Sequence, residues 1–123
     1  MKYAETHEWI DAKEGKGRVG ISVYAQKELG EIVYVELPKV GQEVQAGEEV
    51  AVLESTKAAA DIYSPVSGKI TAVNKQVKDE PSLMNTAPEG KGYLFEMILT
   101  HPEELEALTS KDEYHRWILQ STH

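Results

Sequence analysis

The sequence predicts a mainly β domain, a flattened barrel or sandwich with a lysine-bearing hairpin at one end and a few short added helices, two of them C-terminal. Three observations carry this. Short apolar runs alternate with Gly- and Pro-marked turns through most of the chain. Val44–Val52 echoes Val66–Val73 in strand–Gly–strand form, and the two runs flank the hairpin, as two similar halves of a small sandwich would. Thr100 and Ser110 each open a Ser/Thr-x-x-Glu capping pattern ahead of a helical apolar face.

In chain order, Tyr3–Ile10 reads as one strand, with Tyr3, His7 and Trp9 in alternating phase. Lys13-Glu14-Gly15-Lys16-Gly17 reads as a turn and Arg18–Ile21 as the returning strand. Ser22 is a candidate N-cap. Ala25 and Leu29 share a face at i, i+4, and Gly30 suits the position after the last helical residue, so Ser22–Leu29 is expected to be a short helix. Ile32–Leu37 is strand-like and stops at Pro38. Gly41 and Gly47 mark turns around Glu43-Val44. Pro81–Met84 reads as one helical turn ending near Asn85, and Tyr93–Leu99 as the last strand. Thr100-His101-Pro102-Glu103 precedes Leu105 and Leu108. Ser110-Lys111-Asp112-Glu113 precedes Tyr114, Trp117 and Ile118, which share one helix face.

At 123 residues the chain is expected to form a single domain, residues 1–123, able to bury roughly 68% of its unfolded surface. The net charge of −8 argues against nucleic acid and anionic membranes, which require clustered positive charge. It suits partners with basic rims, although acidic excess also simply keeps proteins soluble. There are no cysteines, which removes disulfides, thiolate metal sites and cysteine nucleophiles. No targeting segment is visible near Met1, so the cytoplasm is the expected compartment, or the mitochondrial matrix for a processed eukaryotic form. The four histidines lack metal-ligand spacing, and no G-x-S-x-G, G-x-G-x-x-G or Walker pattern occurs. No catalytic constellation is visible, and the chain is expected not to be an enzyme.

Lys57 is the informative residue. Val50–Leu53 reads as a strand, Ile62-Tyr63 as its partner, and Lys57 falls near the tip between them. Glu54 lies three residues before it and Asp61 four after. Thr56, Ala58, Ala59 and Ala60 are small, so little obstructs another protein's active site from closing over the amine. A loop lysine is usually only a solvated charge, and the chain has eleven lysines. The surrounding residues distinguish this one.

Glu54-Ser55-Thr56-Lys57-Ala58, followed by Asp61 and by Pro65-Val66-Ser67-Gly68, closely resembles the lipoylation hairpin of the glycine cleavage system H-protein family. The resemblance spans nearly the whole chain. Tyr3-Ala4-Glu5-Thr6-His7-Glu8-Trp9 is similar to the family's opening block. Val19-Gly20-Ile21-Ser22 and Leu29-Gly30-Glu31-Ile32-Val33-Tyr34-Val35-Glu36-Leu37-Pro38 are similar to its second. Asn85-Thr86-Ala87-Pro88 and Gly90-Lys91-Gly92-Tyr93-Leu94 are similar to its third. Three ordered blocks at family spacing are far more specific than a lone Lys-Ala.

The resemblance implies a barrel-sandwich hybrid of lipoyl-domain type with added helices, and a non-catalytic monomeric carrier. It implies lipoate joined covalently to Lys57, with Glu54, Ser55 and Asp61 as the recognition residues of the hairpin. The partners implied are the glycine decarboxylase, the aminomethyltransferase, dihydrolipoyl dehydrogenase, and a lipoate ligase or lipoyl/octanoyl transferase. In such a family the arm carries an aminomethyl group, which is cationic. That implies an arm-docking groove with carboxylates: Thr6, His7, Glu8 and Asp61 are the candidates, Glu8 foremost, with Trp9 as an apolar wall. On the residues alone, the favoured reading is that His7 and Trp9 are core and Glu8 is an exposed strand residue.

Biotin carriers usually flank the lysine with methionines, and 2-oxoacid dehydrogenase lipoyl domains usually place an acid directly before it. Thr56 and Ala58 fit neither. Thr56, Ala60, Tyr93 and the basic, aromatic tail Tyr114–Leu119 depart from common family residues. They leave open an alternative role, a lipoyl-relay or scaffold protein that donates lipoyl or octanoyl groups or serves another pathway.

Overall fold

In the computed structural model, which describes residues 1–121, the first predicted strand is broken in two. Lys2–Tyr3 forms β1 and Glu8–Lys13 forms β2. Between them the backbone folds back, with the His7 N–H bonded to the Ala4 carbonyl at 3.0 Å and the Ala4 N–H to the Glu8 carbonyl at 2.8 Å. His7 itself sits at φ 78°, a left-handed conformation that non-glycine residues seldom adopt. The strand alternation of Tyr3, His7 and Trp9 therefore fails at His7, which lies in a turn.

The β2–β3 connection is tighter than the sequence suggests. β3 begins at Lys16 and runs to Ile21, leaving Glu14-Gly15 as a two-residue loop. Both loop residues have positive φ, 54° and 80°, the requirement of a type I′ hairpin. Ser22 caps α1 (Val23–Leu29) as expected, its Oγ accepting the Ala25 N–H at 3.1 Å. β4 (Ile32–Glu36), β5 (Glu43–Val44), β6 (Glu49–Ser55), β7 (Ala59–Tyr63) and β8 (Gly68–Val73) follow.

α2 (Lys75–Asp79), capped by Asn74, was not anticipated, because its five residues carry only Val77 inward and show no helical period. α3 (Leu83–Thr86) matches the expected turn. β9 is Phe95–Leu99, two residues shorter than predicted: Tyr93 and Leu94 remain outside it. The first C-terminal helix is a 3₁₀ turn, Pro102–Ala107, capped by backbone at His101. Thr100 does not cap it, because its hydroxyl is engaged with the His101 ring at 3.0 Å. β10 (Thr109–Ser110) leads into α4 (Lys111–Ser121), where Ser110 does cap, accepting the Glu113 N–H at 3.3 Å.

The described strands form two sheets. One has seven strands in the order β10-β1-β2-β3-β9-β8-β5, and the other three in the order β4-β6-β7. Ile10, Val19, Ile70 and Met97 from the first and Val35, Leu53 and Ile62 from the second share one buried core. Each such side chain contributes about 1.5–3 kcal/mol when fully buried. The mainly β, two-sheet architecture of the prediction is thus present, with its short helices at the periphery.

A second, smaller core ties α4 to the start of the chain. It contains Tyr3, Trp9 and Tyr114. The rings of Tyr3 and Tyr114 stack at 4.3 Å between centroids and 7° between planes. None of the described helices is long and apolar enough to cross a membrane.

Candidate functional site

The β6–β7 hairpin holds Lys57 at its tip, as the sequence suggests. Leu53 pairs with Ala60 and Glu54 with Ala59, so Ser55 and Ala58 bracket a two-residue loop of Thr56 and Lys57. One hydroxyl organises that loop. Ser55 Oγ accepts the N–H of Lys57 and of Ala58, each at 3.1 Å, and donates to the Ala58 carbonyl at 3.2 Å. The Ser55 N–H reaches the Ala58 carbonyl at 2.8 Å. Serine hydroxyls commonly stand in for backbone groups in tight turns, and here this fixes the backbone on both sides of the lysine.

The tip is also anchored outside the hairpin. The Thr56 N–H donates to the Glu31 carbonyl at 3.0 Å. The Lys57 side chain is exposed and makes no side-chain hydrogen bond or ion pair among the described residues. Its stem passes over Gly30. A methyl group there would meet Lys57 Cε at 3.3 Å.

Glu54 and Asp61 are exposed on the outer face of the three-stranded sheet, Glu54 level with Tyr34 and Ala59, Asp61 level with Val52 and Glu36. The negative charge of Asp61 is the first cause that raises the pKa of the Glu49 carboxyl. Lys57 and Ser55 therefore form one unit, Glu54 precedes it on the sheet face, and Asp61 lies further down the same hairpin among other carboxylates.

Thr6, His7 and Glu8 form a second unit in the β1–β2 turn. Glu8 is 1% exposed, not the exposed strand residue that the residues alone suggested. Its carboxylate accepts the Thr6 hydroxyl through Oε1 and the Tyr63 N–H at 3.1 Å through Oε2. Burial pushes its pKa up, and the bonds from Thr6 and Tyr63 act against that. Glu8 thereby fastens this turn to the base of the lysine hairpin. Beside it, a groove of about 370 Å³ is lined by Ala4, Thr6, Tyr63, Pro65 and Leu108.

Trp9 does not wall that groove. It is buried in the smaller core, with its indole N–H bonded to the Pro88 carbonyl at 3.0 Å. His7 is gripped by the C-terminal helix: Nδ1 lies 2.7 Å from the Tyr114 hydroxyl, and the ring stacks on Trp117 at 5.3 Å. Burial lowers the His7 pKa, with Glu28 opposing. The Tyr114 hydroxyl also contacts Ser22 Oγ at 2.7 Å, and burial pushes its own pKa up to about 12.

Three polar residues important to this frame were given no role in the sequence, Asn85 appearing there only at the end of a helical turn and within a family block. Glu89 accepts the Tyr3 hydroxyl at 2.6 Å and the Val23 N–H at 2.9 Å. Glu104 accepts the N–H and hydroxyl of Ser67 at 2.6 and 3.0 Å. Asn85 bridges Gly30 and Ile32. Each joins segments distant in sequence, so no local pattern signals it. Among the described residues no group of three His, Cys, Asp or Glu is arranged to hold a metal ion.

The class that this fold and site define is a two-sheet β domain displaying a single lysine on a short, internally braced hairpin. The chain belongs to the glycine cleavage H-protein family, whose profile matches residues 1–121. It is 49% identical to the glycine cleavage system H protein of Thermotoga maritima over 119 residues, 97% of this chain and 96% of that protein. It is 51% identical to that of Alcanivorax borkumensis over 114 residues, 93% of this chain and 89% of that protein. The crystal structure of a glycine cleavage system H protein from Mycobacterium marinum is similar with a TM-score of 0.78 at 41% identity, over 80% of this chain and 83% of that one.

Proposed function

We propose that this chain is the lipoyl carrier protein of a glycine cleavage system, acting as one unit without catalytic machinery of its own, and that lipoate is carried as an amide on Lys57. The observation that carries the reading is the exposed, unpaired Lys57 amine on a loop whose backbone is fixed by Ser55. The family and the names of the relatives support the pathway.

The residues present fit the group. A linear acyl chain on Lys57 meets only small exposed neighbours, Thr56, Ala58 and Ala59. When bound, lipoate supplies a dithiolane whose S–S bond opens to accept a transferred group and closes again on oxidation. The protein's part is to present, orient and shelter. Ser55 sets the direction of the Lys57 backbone. Glu54 and Asp61 offer exposed negative charge to the enzyme that modifies Lys57, and that enzyme supplies the chemistry of the transfer.

Thr6, His7 and Glu8 form the docking turn for the arm. What supports this is the groove beside Thr6 and Tyr63, with the Glu8 carboxylate immediately behind the Thr6 hydroxyl. A carboxylate there favours a cationic load, most strongly where water is excluded. The decarboxylase, the aminomethyltransferase and dihydrolipoyl dehydrogenase are the visiting enzymes in this reading. A tether gives each an effective arm concentration on the order of mM when the reach fits.

The test is to lipoylate the purified protein with a lipoate ligase, map the added mass, and assay glycine-dependent reduction with the three partner enzymes. One lipoyl group on Lys57 and glycine turnover are expected. An added mass on another lysine overturns the assignment, and a lipoylated protein inert with all three partners overturns the pathway in favour of lipoyl relay.

A further inference from the structure

We infer that Asn85 is a positioning residue for acylation of Lys57, acting through the three-residue strap Gly30-Glu31-Ile32 that carries the hairpin tip. The inference rests on the reading of Lys57 as the lipoylated amine.

A single carboxamide grips both ends of the strap. Asn85 Nδ2 donates to the Gly30 carbonyl at 2.7 Å, and Oδ1 accepts the Ile32 N–H at 3.0 Å. The orientation of the amide is fixed by these partners, since a flipped amide would face donor to donor and acceptor to acceptor. Between the two gripped residues, the Glu31 carbonyl takes the Thr56 N–H at 3.0 Å. Thr56 is the residue directly before Lys57. The position of the tip backbone is therefore referred, through one residue of strap, to a side chain on α3.

The strap sets the lysine side chain as well. Gly30 has φ 82° and ψ −148°, a region that residues with a Cβ rarely occupy. The face left bare by the missing Cβ is the one under the Lys57 stem, with Cε, Cδ and Nζ at 3.3, 3.7 and 3.8 Å from where that Cβ would stand. Asn85 thus holds two things with one group: the backbone bond that locates Thr56, and the glycine surface that directs the amine outward. Neither Glu54 nor Asp61 takes part in this arrangement, so the outer face of the hairpin sheet remains a separate element of recognition.

The chemistry explains why such bracing matters. The ligase forms a lipoyl-adenylate, a mixed anhydride, from lipoate and ATP. The neutral Lys57 Nζ attacks the acyl carbon; a C–N bond forms, the acyl C–O bond to the phosphate breaks, and AMP leaves with that electron pair. The amine proton passes to a base on the ligase, and nothing is oxidised or reduced. Attack requires Nζ within about 3–3.5 Å of the carbon, and a misplacement on the order of 1 Å can cost about 10²-fold in rate. Because the docking face is untouched, loosening the strap lowers kcat and leaves KM in place.

The experiment uses Asn85→Ala and the near-isosteric Asn85→Asp, which keeps the acceptor for Ile32 and turns a carboxylate oxygen on the Gly30 carbonyl. Gly30→Ala, which leaves Asn85 in place, is the third variant. Each is assayed with a purified lipoate ligase at saturating ATP and lipoate, well below its melting temperature. The expected result is a kcat for acylation lower by about tenfold or more, with KM within about twofold of wild type. Amide hydrogen exchange, which needs no ligase, should show the Thr56 N–H exchanging about tenfold faster in both Asn85 variants, with Leu53 protected as in wild type. Wild-type kcat in all three folded variants, or unchanged Thr56 exchange in the Asn85 variants, overturns the inference. Failure of the wild-type protein itself to be acylated at Lys57 defeats the carrier reading, and the exchange result then decides the strap by itself.

Discussion

The Glu8 carboxylate accepts the backbone N–H of Tyr63 at 3.1 Å, so a buried acid of the seven-stranded sheet is bonded to the last residue of the lysine hairpin in the other sheet. The bond places a negative charge where water is scarce, and burial is the first cause that raises its pKa from the ordinary 4.5.

The sign of the pH effect follows. Between 4.5 and the raised value the folded chain holds a proton that the unfolded chain has released, so this group's contribution to stability is retained below 4.5 and lost as pH rises through the folded pKa. Glu8→Gln can still accept from Tyr63 and has no charge to bury. Its melting temperature relative to wild type should shift in the variant's favour between pH 4 and pH 7. A constant difference across that range would show that folding leaves the Glu8 pKa unshifted.

Tyr114→Phe should cost about 1–3 kcal/mol in urea unfolding. The ring stack on Tyr3 survives, and His7 Nδ1 and the buried Ser22 hydroxyl each lose a partner. In wild type, His7 should titrate below the ordinary 6.5 by NMR, with stability falling as pH drops from 6.5 toward that lower value. A loss under 0.5 kcal/mol, or a His7 titration above 6.5, contradicts this account of the C-terminal helix as a clasp on the β1–β2 turn.

Lys57→Arg should unfold within about 0.5 kcal/mol of wild type, because the side chain is exposed and makes no bond within the fold. The guanidinium stays protonated and is not acylated. Intact mass after incubation with the ligase should show no adduct; an adduct of one lipoyl group would place the modification elsewhere.

Glu104→Ala should destabilise by about 1.5–3 kcal/mol, the range for hydrogen bonds to a charged group. Ser67 is buried, and Glu104 satisfies both its N–H and its hydroxyl. Chemical denaturation measures it, and an effect indistinguishable from Glu103→Ala would remove Glu104 from the frame.

The hairpin and its lysine were legible because their determinants are local: a strand, its returning partner, and small residues on both sides of Lys57. The caps at Ser22 and Ser110 were legible for the same reason. The same pattern misled at Thr100, where a neighbouring imidazole takes the hydroxyl and proline favours a 3₁₀ turn. The break at His7 was hidden because its alternation with Tyr3 and Trp9 mimics a strand, and the turn is held by contacts to Ser22 and Tyr114 far along the chain. Glu8 was recognised as a candidate, yet its burial depends on Tyr63 in another sheet. Asn85, Glu89 and Glu104 are polar residues whose partners lie across the fold, and single-sequence periodicity carries no information about such pairs.

The pairing of β1 with β10 has a consequence for how the polypeptide is made. Lys2 and Tyr3 emerge from a ribosome long before their partners Ser110 and Thr109. Until then one edge of β1 is open, and Tyr3 lacks the Tyr114 ring that covers it. Strands whose partners are distant in sequence fold slowly and leave edges exposed to wrong pairing. The Lys57 hairpin, whose partners are adjacent, can close long before. A nascent chain that has released Tyr63 but not Thr109 therefore has both strands of the lysine loop available while β1 still lacks its second partner.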